Sequence, residues 1–205
     1  MNVKEGGPAG AGRQAERSEA TRAALLEVAR RLFTDPGYAA VSTEQIVRDA
    51  GVTRGALYHH FKDKQDLFRV VFEAIEQEMA ERVAAAALSE TDPWQQQMIA
   101  TGAFLDNCLD PAVQQIALTD APSVLGLAAW REIEERYGLA LVQAAVQNLM
   151  DQGLIAEQPA EPLAHLLLGA FTEAGLLIAR SEDREAARAE VGGSIERLMQ
   201  GLRKK

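Results

Sequence analysis

Apolar residues recur along the chain at intervals of three and four positions, which is the spacing of one face of an α-helix. No stretch shows the strict alternation of apolar and polar residues that is typical of a half-buried β-strand. Glycine and proline mostly stand between the periodic segments. The pattern therefore predicts an all-α protein with roughly nine helices.

The first third of the chain is predicted to hold four helices. The first is expected over residues 18–33. Ser42 and Thr53 are each expected to cap a short helix, because a side-chain oxygen at this position accepts a hydrogen bond from a backbone N–H of the first turn. The first of these short helices should end near Gly51, and a longer helix should begin near Asp63.

Five further helical segments are predicted behind it, separated by breaks that contain proline or glycine. They are a helix that carries Trp94 to Cys108, a short segment over residues 113–118, and helices over residues 124–150, 161–180 and 184–202.

Composition excludes several classes of protein. The 205 residues are 47% hydrophobic, which is enough to bury a core, and no uninterrupted apolar run reaches the roughly 18 residues of a membrane span. The N-terminal segment resembles no targeting signal, so a cytoplasmic protein without a membrane partner is expected. Cys108 is the only cysteine, which excludes an internal disulfide and a multi-cysteine metal site. No cofactor and no metal are predicted.

Charge is unevenly distributed along the chain, whose formal net charge is −9. Residues 1–70 hold 11 basic and 9 acidic residues, a net +2, whereas residues 71–205 hold 10 and 21, a net −11. Such a difference is expected where only the first segment approaches a polyanion and the rest repels it. Ordinary scatter is the alternative explanation.

The two short helices and the turn between them predict a helix-turn-helix unit. The turn is formed by residues 50–52, and the longer first helix packs across both short ones. Leu57 and Phe61 lie four positions apart and can anchor the second short helix inward. The side chains that then project outward are Arg54, Tyr58 and His59, while Gly55 and Ala56 keep the leading edge thin enough to approach base edges.

Residues 37–67 read GYAAVSTEQIVRDAGVTRGALYHHFKDKQDL, and this segment resembles the DNA-binding domain of the TetR family of bacterial transcriptional regulators. The resemblance covers about residues 18–70. It implies a three-helix DNA-binding domain over 18–70 and a larger helical domain over 71–205 that binds a ligand and dimerises. The Gly-rich residues 1–17 are predicted from their composition to be a flexible tail.

The resemblance also implies which side chains contact DNA. Phosphate contacts are implied for Thr43, Tyr58, His60 and Lys64, and base-facing positions for Thr53, Arg54, Gly55, Ala56 and His59. These roles agree with the chemistry of the residues, because hydroxyl, imidazole and ammonium groups donate to phosphate oxygens. Arg54 is the side chain that can bind guanine through two hydrogen bonds.

Glu44 departs from the pattern, since some family members carry a basic residue there. A carboxylate beside the expected phosphate contact of Thr43 would repel the DNA backbone. We expect Glu44 to point away and accept hydrogen bonds from the helix N-terminus; acceptance from a cytosine amino group is the alternative.

The last two helices are predicted to form a homodimer interface. Residues 163–179 are apolar nearly all round, so this helix must be covered on most sides. Pairing both helices with their copies in a second chain would form a four-helix interface, and burial within the chain is the alternative. The predicted interface residues are Leu163, Leu167, Ala170, Phe171, Ala174, Ile178, Ile195, Leu198 and Leu202.

The family resemblance places a small-molecule pocket between about residues 94 and 137. The candidate lining residues are Trp94, Met98, Phe104, Cys108, Trp130 and Tyr137. Their mixture of aromatic and apolar side chains predicts a small hydrophobic ligand. Taken singly, each of them is better explained as an ordinary core residue than as a ligand contact.

Together these features predict a ligand-responsive, sequence-specific regulator, a repressor released from a palindromic double-stranded operator when the ligand binds. The sequence does not show whether the ligand releases the protein from DNA or promotes its binding. The alternative is a helical interaction module or a small-molecule-binding protein without operator binding. An enzyme is not expected, because no phosphate loop, nucleophile motif or metal-spaced cluster is present. The acidic run Glu132, Glu134 and Glu135 is predicted to be a solvated face.

Overall fold

The computed structural model describes the backbone of residues 8–204 and the side chains of residues 12 and 14–204. Within this range the chain forms nine helices and no β-strand; Ile155 and Arg203 form an isolated bridge. The all-α prediction is confirmed. The helices are α1 (Pro8–Thr34), α2 (Thr43–Asp49), α3 (Arg54–His60), α4 (Lys64–Ala87), α5 (Pro93–Asn107), α6 (111–125), α7 (127–151), α8 (Ala160–Arg180) and α9 (Arg184–Leu202).

Helix α1 begins at Pro8, ten positions before the predicted start at Ser18. Residues 8–17, expected to belong to a flexible tail, are therefore helical, and residues 1–7 of that tail lie outside the described range. Proline suits the first turn of a helix, where its missing N–H costs no hydrogen bond. The Arg, Gln, Ala and Glu residues that follow are strong helix formers, and they outweigh the glycines on which the prediction rested.

Helices α6 and α7 each contain a π-helical segment, over Val113–Asp120 and Glu135–Leu139. The predicted break before residue 124 is displaced to Gly126, which has a φ of 82°. Glycine adopts this left-handed conformation without the steric cost that a Cβ imposes. The short segment expected over residues 113–118 is thus the middle of a longer helix.

The caps of the two short helices are confirmed. Ser42 Oγ accepts a hydrogen bond from the Gln45 N–H at 3.1 Å, and Thr53 Oγ1 accepts one from the Ala56 N–H at 3.2 Å. Between them, Gly51 turns the chain with a φ of 66°. These local bonds set where α2 and α3 begin and so define the helix-turn-helix.

The chain forms two compact units that divide between Val71 and Phe72, within α4. In the first unit, α1 packs against α2 and α3. Leu57 and Phe61 are buried there, as the sequence predicts. The other buried apolar residues of this core are Leu25, Ala29, Leu32, Phe33, Val41, Ile46, Leu67, Phe68 and Val71.

In the second unit, α8 packs against α6, α7 and α9. Gly175 permits a close approach on this helix, since a Cβ there would lie 3.1 Å from Cys108 Sγ. The core around α8 consists mainly of Trp94, Leu105, Cys108, Val146, Leu149, Ile155, Leu163, Leu167, Phe171, Ala174, Ile178, Ile195 and Met199.

Six of the nine residues predicted for the dimer interface are buried within their own chain, which corrects that prediction. They are Leu163, Leu167, Phe171, Ala174, Ile178 and Ile195. The apolar circumference of α8 is wide enough to fill the chain's own core first, and a side chain buried there is not available to a second protomer. Ala170 and Leu202 are half-buried, and Leu198 is 49% exposed.

Helix α8 is the one helix of the described chain that is long and apolar enough to cross a membrane, by length and composition alone. The central helix of a water-soluble protein passes the same test. Its exposed apolar side chains are Leu166 and Leu177, at 73% and 50% exposure.

We expect Leu57→Ala to lower the free energy of unfolding by about 2–5 kcal/mol, because it leaves a cavity beneath α3. Urea unfolding followed by circular dichroism measures this change. Leu88→Ala removes the same atoms from a side chain that is 82% exposed, and it should leave the transition nearly unchanged. Equal losses in the two variants would contradict the anchoring role of Leu57.

Candidate functional site

Helix α3 has one buried face and one exposed face. Leu57 is fully buried, whereas Arg54, Gly55, Tyr58 and His59 are exposed. The exposed positions are spaced so that they share one side of the helix. The structure therefore brings the predicted projecting residues together on a surface that solvent, or a duplex groove, can reach.

Arg54 is held between two neighbours on this surface. Its Nη1 lies 3.1 Å from Glu44 Oε1, and its guanidinium carbon lies 5.5 Å from the centre of the Tyr58 ring. The Arg54 and Glu44 side chains are 64% and 62% exposed, so water screens the ion pair. The contacts restrain the guanidinium without burying it.

Glu44 lies in the first turn of α2, and its pKa is lowered. The largest cause is a hydrogen bond from its own backbone N–H, followed by one from the Thr43 hydroxyl at 3.3 Å and the charge of Arg54. The expected contact with the helix N-terminus is thus present. The ion pair with Arg54 was not expected.

Lys64 occupies a different setting from the one implied by the family resemblance. Its Nζ donates hydrogen bonds to the carbonyl oxygens of Tyr38 at 2.9 Å and Val41 at 2.8 Å. The same ammonium lies 3.8 Å from the centre of the Tyr38 ring, which packs against Phe33 and Phe68. Lys64 therefore fastens the start of α4 to the segment before α2.

The remaining predicted DNA contacts lie on or beside the same surface. Thr53 is exposed, and its hydroxyl oxygen also caps α3. Thr43, Ala56 and His60 are half-buried, and the rings of His59 and His60 are 5.2 Å apart. The structure contains no DNA, so these contacts stay predictions.

A cavity of about 320 Å³ lies within the second unit. This volume is at the lower end of the range for small-molecule sites. Residues of α4, α5, α6, α7 and α8 line it, and most of the lining is apolar. Prominent lining residues are Met79, Val83, Phe104, Leu141, Leu168 and Phe171.

Two of the six predicted ligand-binding residues, Phe104 and Tyr137, line this cavity. Trp94 and Cys108 are buried in the core, and Met98 packs against it, so these three do not match the cavity. Trp130 lines a second and more polar cavity. Sequence position alone does not distinguish the two faces of α5, both of which carry apolar residues.

Sequence reasoning missed two carboxyl groups, those of Glu76 on α4 and Glu134 on α7, which also line the cavity. Desolvation raises the pKa of Glu76 to about 8, with a further contribution from Glu134. Desolvation likewise raises the pKa of Glu134 to about 7, although the Thr172 hydroxyl donates to it at 3.2 Å. The prediction of a solvated acidic face holds for Glu132 and Glu135 and is wrong for Glu134.

The position of Glu76 in the sequence could have indicated that it faces the core. It stands between Ile75 and Met79, which are buried, on the stripe of α4 that faces the core. In the part of the chain that the structure describes, no group of three His, Cys, Asp or Glu side chains is placed to hold a metal ion.

Comparison with known proteins accounts for both units. Residues 25–71 match the family described as bacterial regulatory proteins, tetR family. Residues 94–202 match the family described as Tetracyclin repressor-like, C-terminal domain, and this match spans more than half of the chain. The chain belongs to the TetR family.

Individual relatives agree with this assignment. A TetR-family transcriptional regulator from Pectobacterium atrosepticum is 38% identical, over 93% of this chain and 97% of that one, with a TM-score of 0.83. The Transposon Tn10 TetC protein of Escherichia coli is 29% identical, over 77% of this chain and 80% of the relative. Similarity to the HTH-type transcriptional regulator AcrR of Shigella flexneri, at 46% identity, covers 32% of this chain and 31% of that one.

TetR-family membership makes this chain a helix-turn-helix transcriptional regulator, and the prediction that it is not an enzyme is confirmed. Proteins of the TetR family bind operator DNA and dimerise. The first unit, which includes the matched residues 25–71, is the N-terminal helix-turn-helix domain of this TetR-family chain.

We expect Lys64→Ala to destabilise this TetR-family DNA-binding unit by about 1–3 kcal/mol, because two carbonyl groups lose a charged donor. The measurement is the midpoint of urea unfolding. Lys62→Ala removes the same charge from an exposed neighbour and is the control. If both variants unfold at the same urea concentration, the hydrogen bonds of Lys64 contribute nothing measurable.

Proposed function

We propose that this chain is a ligand-responsive repressor that binds a palindromic operator as a homodimer and leaves it when a small hydrophobic molecule occupies the second unit. The observation that supports the DNA-binding part of this proposal is the surface of α3. Its apolar side chains are buried, while Arg54, Tyr58 and His59 stay exposed behind a capped helix start.

In this proposal α3 enters the major groove. Arg54 reads guanine through two hydrogen bonds, and its ion pair with Glu44 is exchanged for the base. The exchange costs little, because water screens an exposed ion pair. Backbone phosphates are held by the implied contacts of Thr43, Tyr58 and His60, while Thr53, Gly55, Ala56 and His59 lie towards the bases.

A dimer supplies the second copy of α3 that a palindrome requires. Half-sites one helical turn apart, about 34–36 Å, place two such helices on one side of the duplex. We propose that the interface uses the exposed parts of α8 and α9 instead of the mostly buried set predicted from sequence. Leu166 and Leu177 of α8 and Leu198 of α9 are at least 49% exposed, and Gly169 faces open space.

This use of α8 also bears on location. Pairing its exposed leucines with a second protomer removes them from water without a membrane, and operator DNA lies in the cytoplasm. We therefore propose a cytoplasmic protein with no membrane partner.

Selection of bound fragments from a random duplex pool, followed by affinity measurements on the selected site, tests the reader surface. Arg54→Ala should cost about 1–3 kcal/mol and relax the preference at one base position in each half-site. Arg131→Ala, which removes the same charge from an exposed position of the second unit, should leave base preference unchanged. If Arg54→Ala instead lowers the affinity equally for all duplex sequences, Arg54 contacts phosphates and not bases.

The dimer surface is tested by placing a charge on it. Leu198→Arg should shift the protein from dimer to monomer in analytical ultracentrifugation, since an unpaired buried charge is strongly unfavourable. Leu88→Arg, at an 82% exposed position between α4 and α5, is the matched control and should stay dimeric. If Leu198→Arg dimerises as the parent does, α9 is not part of the interface.

A further inference from the structure

The lining of the second-unit cavity has an unusual charge composition. It contains two carboxyl groups, those of Glu76 and Glu134, on a mostly apolar wall. Among the lining residues that the structure describes there is no lysine, arginine or histidine. Polar lining groups without charge come from side chains such as Gln96, Thr172 and Asn148.

Glu76 lies deep in this unit. Its carboxyl group is desolvated, and the residue, which is half-buried, lines the cavity. No hydrogen-bond donor or cation among the described residues contacts the Glu76 carboxyl group. Glu134, in contrast, accepts a hydrogen bond from the Thr172 hydroxyl. Burying an unpaired ionised carboxylate costs several kcal/mol, so a partner with a positive charge would relieve it.

We propose that the cavity selects a hydrophobic molecule carrying a positively charged nitrogen, which Glu76 and Glu134 bind together from α4 and α7. The inference rests on the proposed ligand response and specifies the chemical class of its ligand. The apolar wall binds the body of the molecule, and the carboxylates bind its charge.

The charged and titratable groups around Glu76 and Glu134 favour a positively charged ligand. Arg131 lowers and Glu135 raises the pKa of Glu134 from its own helix, and Glu134 in turn raises the pKa of Glu76 on α4. Burial raises the pKa of Cys108, at the end of α5, to about 12, with smaller contributions from the charges of Glu76 and Asp106, so it stays neutral. Since Arg131 is exposed, water weakens its attraction for the Glu134 carboxylate.

The raised pKa values give the proposal a pH signature. Near neutral pH the empty cavity holds at least one protonated carboxyl group. A cation favours the ionised forms, so its binding expels protons and strengthens as the pH rises. A neutral ligand has no such linkage, and an anion would be repelled.

The experiment compares two probes that differ in one atom. The naphthylmethyl-trimethylammonium ion is fluorescent and carries a charge that does not titrate, and neopentylnaphthalene is its neutral carbon isostere. With Glu134 at a pKa of about 7, its ionised fraction rises about tenfold between pH 6 and pH 8. Glu76, at a pKa of about 8, also ionises over this interval. We therefore expect the affinity of the protein for the cation to rise at least about tenfold from pH 6 to pH 8, and that for the isostere to stay constant.

Variants assign the effect to the cavity. Glu134→Gln and Glu76→Gln should each weaken binding of the cation about tenfold or more at pH 8. Each should also make the affinity depend less on pH, because one titrating carboxyl group is left. Glu132→Gln removes a charge from a side chain that is 71% exposed, two positions away, and should behave as the parent. Calorimetry of the parent protein in two buffers of different ionisation heat measures proton release without any variant.

The proposal is overturned if the neutral isostere binds as tightly as the cation at pH 8, or if the cation does not bind at any pH. It is also overturned if no proton is released. Operator binding by the ligand-free protein is measured separately. Loss of cation binding with intact operator binding rejects only this inference, whereas a protein that binds no duplex rejects the proposed repressor function.

Discussion

The orientation of α3 depends on the burial of two side chains, Leu57 and Phe61. A helix of seven residues is far below the roughly 12–15 residues at which an isolated helix becomes even marginally stable in water. Helix α3 therefore exists because its apolar face packs against the rest of its unit. The same packing decides which residues face outward: a rotation by one position, about 100°, would carry Arg54 away from its exposed surface and put a polar residue in the core.

Around this buried face, polar contacts place the neighbouring segments. Lys64 joins two carbonyl groups of the segment before α2, and its ammonium rests on the ring of Tyr38. This arrangement uses a conspicuous positive charge for structure, while Arg54 stays available on the surface. The ion pair with Glu44 gives Arg54 a partner in the free protein, and its exposure keeps that partner weak enough to be exchanged.

Local signals in the sequence predicted the first unit well. The caps at Ser42 and Thr53 and the turn at Gly51 depend on residues within four positions of one another, so a linear pattern contains them. The cavity depends on five helices, and no local pattern shows which side of each helix faces it. Glu134 illustrates this limit, because Glu132 and Glu135 are exposed while Glu134 faces inward at the start of a π-helical segment. For α8, the periodicity of the sequence showed that the helix is apolar. It did not show which side of the helix is buried within its own chain.

The position of the two cavity carboxyl groups suggests how a ligand could influence DNA binding. A ligand changes a conformational equilibrium only through a difference in its affinity for the two states. Charge interactions in a poorly hydrated cavity vary steeply with distance, so a cation held by both Glu76 and Glu134 would favour one spacing of α4 and α7. Helix α4 is a single helix from Lys64 to Ala87, and the residue that fastens its first turn to the segment before α2 is Lys64. A constraint on the cavity end of α4 therefore acts on a helix whose other end belongs to the DNA-binding unit.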